Sequence, residues 1–142
     1  MAKTPGKIAV GDRVEHAFTI SDDDMATFRR LSADSSLIHT DPEFARQRGF
    51  KDVIVYGGLM LAQLSHVVGQ LLPGRHGTSV KWTVNYRSAL YAEEPARLSL
   101  HVVNVSPATG LVEARYRIAC GDRLIAEGQT QSLVPLDLIV HP

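Results

Sequence analysis

Two periodicities divide the chain near residue 77. Beyond it, apolar residues alternate along runs rich in Val, Tyr, Trp and Thr: 78–90 (TSVKWTVNYRSAL), 96–106 (ARLSLHVVNVS), 111–120 (LVEARYRIAC) and 123–134 (RLIAEGQTQSLV). Alternation of this kind predicts strands. YAEEP, PATG and GD separate them and carry turn chemistry. CGDR predicts a tight hairpin, and the four runs together predict an antiparallel meander. Before residue 77 the spacing is helical, apart from 11–20 (GDRVEHAFTI), where Val14, Phe18 and Ile20 predict a first strand or extended lead-in.

Ser21 before DDDMATFRRL predicts an N-cap, with Asp24 at N3 completing an aspartate version of the capping box. Three aspartates in that first turn complement the helix dipole. Met25, Phe28 and Leu31 give the helix one buried face, and it should end near Ser32. Asp41-Pro42 predicts a second helix start, with Gly49 as the glycine after its end. VIV (53–55) reads as a short apolar link. Gly57-Gly58 then opens LMLAQLSHVVGQLL, a helix over about 57–72. Leu59, Met60, Gln63, Leu64, Val67, Val68 and Leu71 fall at helical spacing, and Leu61 and Leu72 widen the apolar stripe almost all round. A helix apolar nearly all round belongs at the centre of a molecule. The strands need a cover for their apolar face, and this helix is the element that can supply it. The expectation is α+β: an antiparallel sheet of about five strands wrapped round one long helix. The tail LDLIVHP carries no pattern, and one domain is expected over 1–142 with its ordered core at about 8–135.

Composition narrows the function classes. A chain of 142 residues with 44% hydrophobic and 21% charged residues can bury a core without disulfides or metals. A net charge of +0 argues against binding nucleic acid or an anionic membrane through a basic excess. The lone cysteine, Cys120, can form no intramolecular disulfide or cysteine-based metal cluster. His16, His76, His101 and His141 show no metal-ligand spacing, so no metal is expected. The start MAKTPGKIAVGDRV lacks the apolar run of a secretory signal, and the 57–72 stretch is too polar to span a bilayer. A cytoplasmic location is expected.

Between the first helix and the 57–72 helix, SADSSLIHTDPEFARQRGFKDVIVYGG (32–58) places Asp34 and His39 five positions apart, ahead of the glycine pair. Asp34, His39, Asp41, Ala45, Gly49, Phe50 and Gly57 stand at the positions of a motif written Asp-x-Asn-Pro-x-His-x-Asp, then Ala, Gly-Phe and His-Gly-Met. With the layout of elements, these residues resemble the MaoC-like hot dog family, in particular the (R)-specific enoyl-CoA hydratases of the PhaJ type. The likeness is densest over 11–74 and looser through the strands. Ser36-Leu37 stands where the family has Asn-Pro, and Tyr56 and Gly58 where it has His and Met around the glycine.

The resemblance implies a hot dog fold and the reversible hydration, with no cofactor, of a trans-2-enoyl thioester to the (R)-3-hydroxyacyl form. Asp34 and His39 would hold and activate one water and return a proton to C2. An imidazole changes charge near neutral pH, which suits both transfers. Gly57 would offer a backbone N–H at a helix start to the thioester oxygen, where a glycine lets substrate approach. Tyr56, Gly58 and Ser65 are placed against the substrate. Ser65 lacks the Gly-x-Ser-x-Gly setting of a nucleophile. The thioester partner is an acyl-CoA or an acyl carrier protein, and the short form of the fold implies a homodimer or higher homo-oligomer. Asp41 reads as an N-cap, and His66 as a core or interface histidine. Two other readings remain. An acyl-CoA thioesterase would need a carboxylate on the central helix, and 57–72 has none. A non-catalytic thioester-binding protein would have no use for Asp34 and His39.

Overall fold

The computed structural model describes residues 6–141. Its elements run β1 (Arg13–Phe18), α1 (Asp22–Ser32), α2 (Leu37–Thr40), α3 (Pro42–Gln47), α4 (Gly57–His66), β2 (Thr78–Trp82), β3 (Asn85–Tyr86), β4 (Ala96–Val105), β5 (Leu111–Cys120) and β6 (Arg123–Leu133). Local signals act as their chemistry requires. Ser21 Oγ accepts from Asp24 N while Asp24 accepts from Ser21 N, a complete capping box. Asp41 caps α3 by accepting from Glu43 N and Phe44 N. Cys120 pairs with Arg123 across the turn, and Gly121 takes the left-handed φ of 58° that such a hairpin demands.

Six strands form one antiparallel sheet in the order β1-β4-β5-β6-β2, with β3 also paired to β6. The expected meander of four is therefore a meander of three. The first run, 78–90, breaks into β2 and β3 and lies beyond β6 as an edge, because its pairing partner is the last strand in sequence. Between them, the chain at Thr83 crosses so close to Gly128 that a Cβ there would fall 2.7 Å from the Thr83 carbonyl carbon. Thr83 O accepts from the Tyr116 hydroxyl at 2.7 Å, which holds the crossing in place.

One face of the sheet carries Leu98, Leu100, Val112, Tyr116, Ile118 and Ile125, all buried, against Met60, Leu64, Val67 and Val68 of the central helix. That helix continues past α4 as a π-helical turn, Val67–Leu71. It is not enclosed all round: Ala62, Ser65, His66 and Gln70 are exposed along one flank. His66, expected in the core or at an interface, is not in the core: it is exposed on the single chain, with its ring 4.7 Å from that of His16. The tail is anchored beyond residue 135. Ile139 is fully buried, Ile8 N donates to Leu138 O, and Val140 N donates to Ile8 O. No helix among the described residues is long and apolar enough to cross a membrane.

Candidate active site

The segment between α1 and α4 wraps over the start of the central helix. Helix α1 ends on Ala33 in a left-handed conformation (φ 57°), which turns the chain sharply and presents Asp34. Asp34 Oδ1 then accepts from Ser36 N at 2.9 Å and Ser36 Oγ at 2.5 Å. This side chain–backbone loop starts α2, with Ser36 at the N-cap and Leu37 at N1. Proline favours that N1 position because its missing N–H is not needed there. In this chain the Ser36 grip on Asp34 stiffens the turn instead. Ser36 holds the Asp34 carboxyl below its ordinary value, first through the hydroxyl and then the amide, and the nearby His39 adds to the effect.

Helix α2 is a single turn and carries His39. His39 Nδ1 lies 2.8 Å from Ile54 O. A carbonyl only accepts, so Nδ1 carries the proton and a neutral ring presents Nε2 with a free lone pair. The same link is fixed twice more, by Ile54 N to Ile38 O at 3.1 Å and Val55 N to Leu90 O at 2.8 Å.

His39 and Gly57 line one cavity of about 400 Å³. Phe50, Ile54, Val55, Met60 and Leu90 make its wall largely apolar, and Tyr86 and Ser88 close the far side. A bulge on β6 shapes that side. Ile125 is the unpaired residue in the register against β5, and its carbonyl accepts from Arg87 N and Ser88 N. Gly57 is the first residue of α4, so its N–H stands outside the helix ladder and carries the positive end of the dipole. A side chain at Gly57 would strike the Tyr86 ring, with the new Cβ 2.6 Å from Cζ.

The other sequence candidates do not line this cavity. Asp34 is partly exposed and within electrostatic reach of His39. Tyr56 is 1% exposed and stacks on the His39 ring at 4.2 Å. Gly58 abuts the Phe28 ring. Ser65 faces outward on the exposed flank of α4. Sequence reasoning missed Ser36 and the Ile54 carbonyl. A serine two positions after an aspartate and before Leu-Ile-His is the one signal that could have found the turn.

A larger opening of about 590 Å³ lies near Arg97, Ser99 and Arg117 of the sheet. The smaller cavity is the one lined by an imidazole and a helix-start amide. Among the described residues, no three His, Cys, Asp or Glu side chains come together as a metal-binding group.

Residues 7–119 match the model of the MaoC like domain. The chain belongs to that family. An (R)-specific enoyl-CoA hydratase of Rhodospirillum rubrum is 26% identical over 128 residues, covering 90% of this chain and 89% of the relative. The 3-hydroxyacyl-[acyl-carrier-protein] dehydratase FERN, mitochondrial, of Solanum lycopersicum is 23% identical over 138 residues, covering 95% and 82%. Among solved structures, the (R)-hydratase from A. caviae involved in PHA biosynthesis superposes with a TM-score of 0.84 at 23% identity, covering 90% of this chain and 98% of that one. The shared architecture is the hot dog fold.

Proposed function

We propose that this chain is a hydro-lyase acting on 2-enoyl thioesters, adding water to give the (R)-3-hydroxyacyl thioester or removing it in reverse. The observation that carries the reading is His39, in an apolar cavity with Gly57, its Nδ1 committed to Ile54 O and its Nε2 left for chemistry. Relatives named as hydratases and dehydratases support it.

In the hydration direction, the acyl chain lies against Phe50, Ile54 and Met60. The Gly57 N–H donates to the thioester oxygen and stabilises the enolate that forms as C3 is attacked. Asp34 and His39 hold the water between them. Its oxygen bonds to C3, one of its protons passes to the pair, and a proton from the pair goes to C2. Charge and atoms balance without a cofactor. The two groups interact, so the pair and not either residue is acid and base.

Two finer assignments accompany this reading. The cavity shares Phe50, Arg87, Ser88 and Ala89 with a neighbouring cleft of about 410 Å³ that adds Lys51, Tyr91 and Arg123. We place the phosphates of a CoA thioester over Lys51, Arg87 and Arg123. A second copy of the chain covers the β2–β3 edge and closes the cavity beside Tyr86.

The test is loss of enoyl absorbance with crotonyl-CoA and a longer trans-2-enoyl-CoA. Wild type should turn over, and Asp34→Asn and His39→Ala should each lose roughly 10²–10⁴ in kcat. A folded wild-type protein that turns over neither these nor the corresponding carrier-protein thioester rules the reading out.

A further inference from the structure

Asp34, His39 and Gly57 come from three different elements: a turn, a single-turn helix and the start of the central helix. The Ser36 grip on Asp34 ties the turn to the single-turn helix, but it does not reach the central helix. Helix α2 has no side-chain cap and is too short to hold its own shape. One residue touches all three parts. The Tyr56 hydroxyl donates to the Asp34 main-chain oxygen at 2.6 Å. The Tyr56 ring stacks on the His39 ring at 4.2 Å with an interplanar angle of 28°. Its own carbonyl is followed by the Gly57 N–H, since Tyr56 is the N-cap of α4.

The hydroxyl has a second partner. Having given its proton to the Asp34 carbonyl, it can only accept, and Arg29 Nε donates to it at 3.3 Å. A cationic donor polarises the hydroxyl and strengthens the bond it gives onward. Phe28, one position earlier on α1, packs on the Tyr56 ring at 4.8 Å and limits its rotation. With the side chain 1% exposed and outside the cavity lining, substrate has no surface of Tyr56 to touch.

We propose that Tyr56, backed by Arg29, is a positioning residue that locks the Asp34 turn to the His39 ring and to the start of the central helix. The proposal rests on the hydro-lyase reading for its kinetic consequence but not for its structural one. It assigns to α1 a part in the chemistry through Arg29, which never reaches the substrate.

The experiment uses the full chain as wild type, Tyr56→Phe, Arg29→Met and the double variant. With crotonyl-CoA, Tyr56→Phe should lower kcat roughly tenfold and leave KM within about twofold, because the lost group is a hydrogen bond that orients and does not bind. Arg29→Met should lower kcat by less, and the double variant should match Tyr56→Phe alone, since Arg29 acts through the hydroxyl. Losses that multiply, or unchanged kcat with only a lower Tm, overturn the proposal. The Asp34 carbonyl carbon resonance supplies a readout free of activity. Arg29→Met should shift it when Tyr56 is present and leave it unmoved when Tyr56→Phe is already in place. An equal shift in both backgrounds overturns the proposal even with an active enzyme. If wild type turns nothing over, the hydro-lyase reading fails and the resonance still decides the clamp. Should Tyr56→Phe not fold, Arg29→Met alone gives the sign in kcat and in the resonance.

Discussion

At the scale of single residues, the site depends on which lone pairs and protons are already committed. His39 has one ring nitrogen committed to a carbonyl, and Asp34 has one carboxylate oxygen committed to Ser36. On the proposed reading each keeps one atom for substrate. The Asp34 commitment has a measurable consequence. Ser36 stabilises the ionised carboxylate, so the group stays charged to lower pH than an ordinary aspartate. In Ser36→Ala the largest of those contributions is gone. The midpoint of Asp34, followed by the carbon resonance of its carboxyl, should move up toward the ordinary value of about 3.9. The amide contribution remains, so the midpoint should stay below that value. A midpoint that does not move, or moves down, contradicts the role assigned to the hydroxyl.

At the scale of elements, the adjacent glycines at the start of α4 separate chemistry from packing. A Cβ on Gly57 meets the Tyr86 ring, and Tyr86 is half exposed and free to swing. A Cβ on Gly58 falls 2.6 Å from Phe28 Cε2, and Phe28 is wedged between α1 and Tyr56. Gly57→Ala should therefore cost under about 1 kcal/mol of stability. It should still lower kcat/KM by roughly 10²-fold, as a misplacement of about 1 Å does. Gly58→Ala should cost about 1–3 kcal/mol through overpacking, read as a lower midpoint in urea. The same comparison shows what the sequence could and could not disclose. The Ser21 capping box, the Asp41 cap and the Gly121 hairpin depend on neighbours within a few positions, and all three are legible. The spacing also points to His39 and Gly57, which the structure brings to one cavity, and to Asp34, which does not line it. Helix α2 is not legible, because a single turn has no period to detect. The place of β2 beside β6 is not, because it depends on pairing between distant strands. The part played by Tyr56 hides for the same reason: its bond to Asp34 spans 22 positions and its bond from Arg29 spans 27.

At the scale of the molecule, the cavity sits where the sheet has an open edge. Val80 on β2 and Tyr86 on β3 are 56% and 50% exposed, on strands whose outer side has no partner among the described residues. Such an edge invites pairing with another chain. Light scattering on the eluting protein should give the mass of two chains, and Val80→Lys should shift it toward one and reduce turnover with it. The mouth of the cavity makes the final demand. Lys51 lies over the Tyr91 ring at 4.6 Å, Arg123 is held by Glu94 at 2.7 Å, and Arg87 by Glu127 at 3.1 Å. The two arginines are already balanced by carboxylates, so Lys51 is the cation with most to offer an incoming phosphate. Exposed charge pairs of this kind contribute up to about 1 kcal/mol and weaken with salt. The KM for crotonyl-CoA should therefore rise with ionic strength, and Lys51→Gln should raise it about fivefold with kcat unchanged. A crotonyl thioester of pantetheine, which keeps the arm but lacks the phosphates, should show neither effect. If both thioesters respond alike to salt and to Lys51→Gln, the phosphates do not lie over this cleft. A carrier-protein thioester that alone escapes a weak KM would point to an acidic protein surface as the group that Lys51 meets.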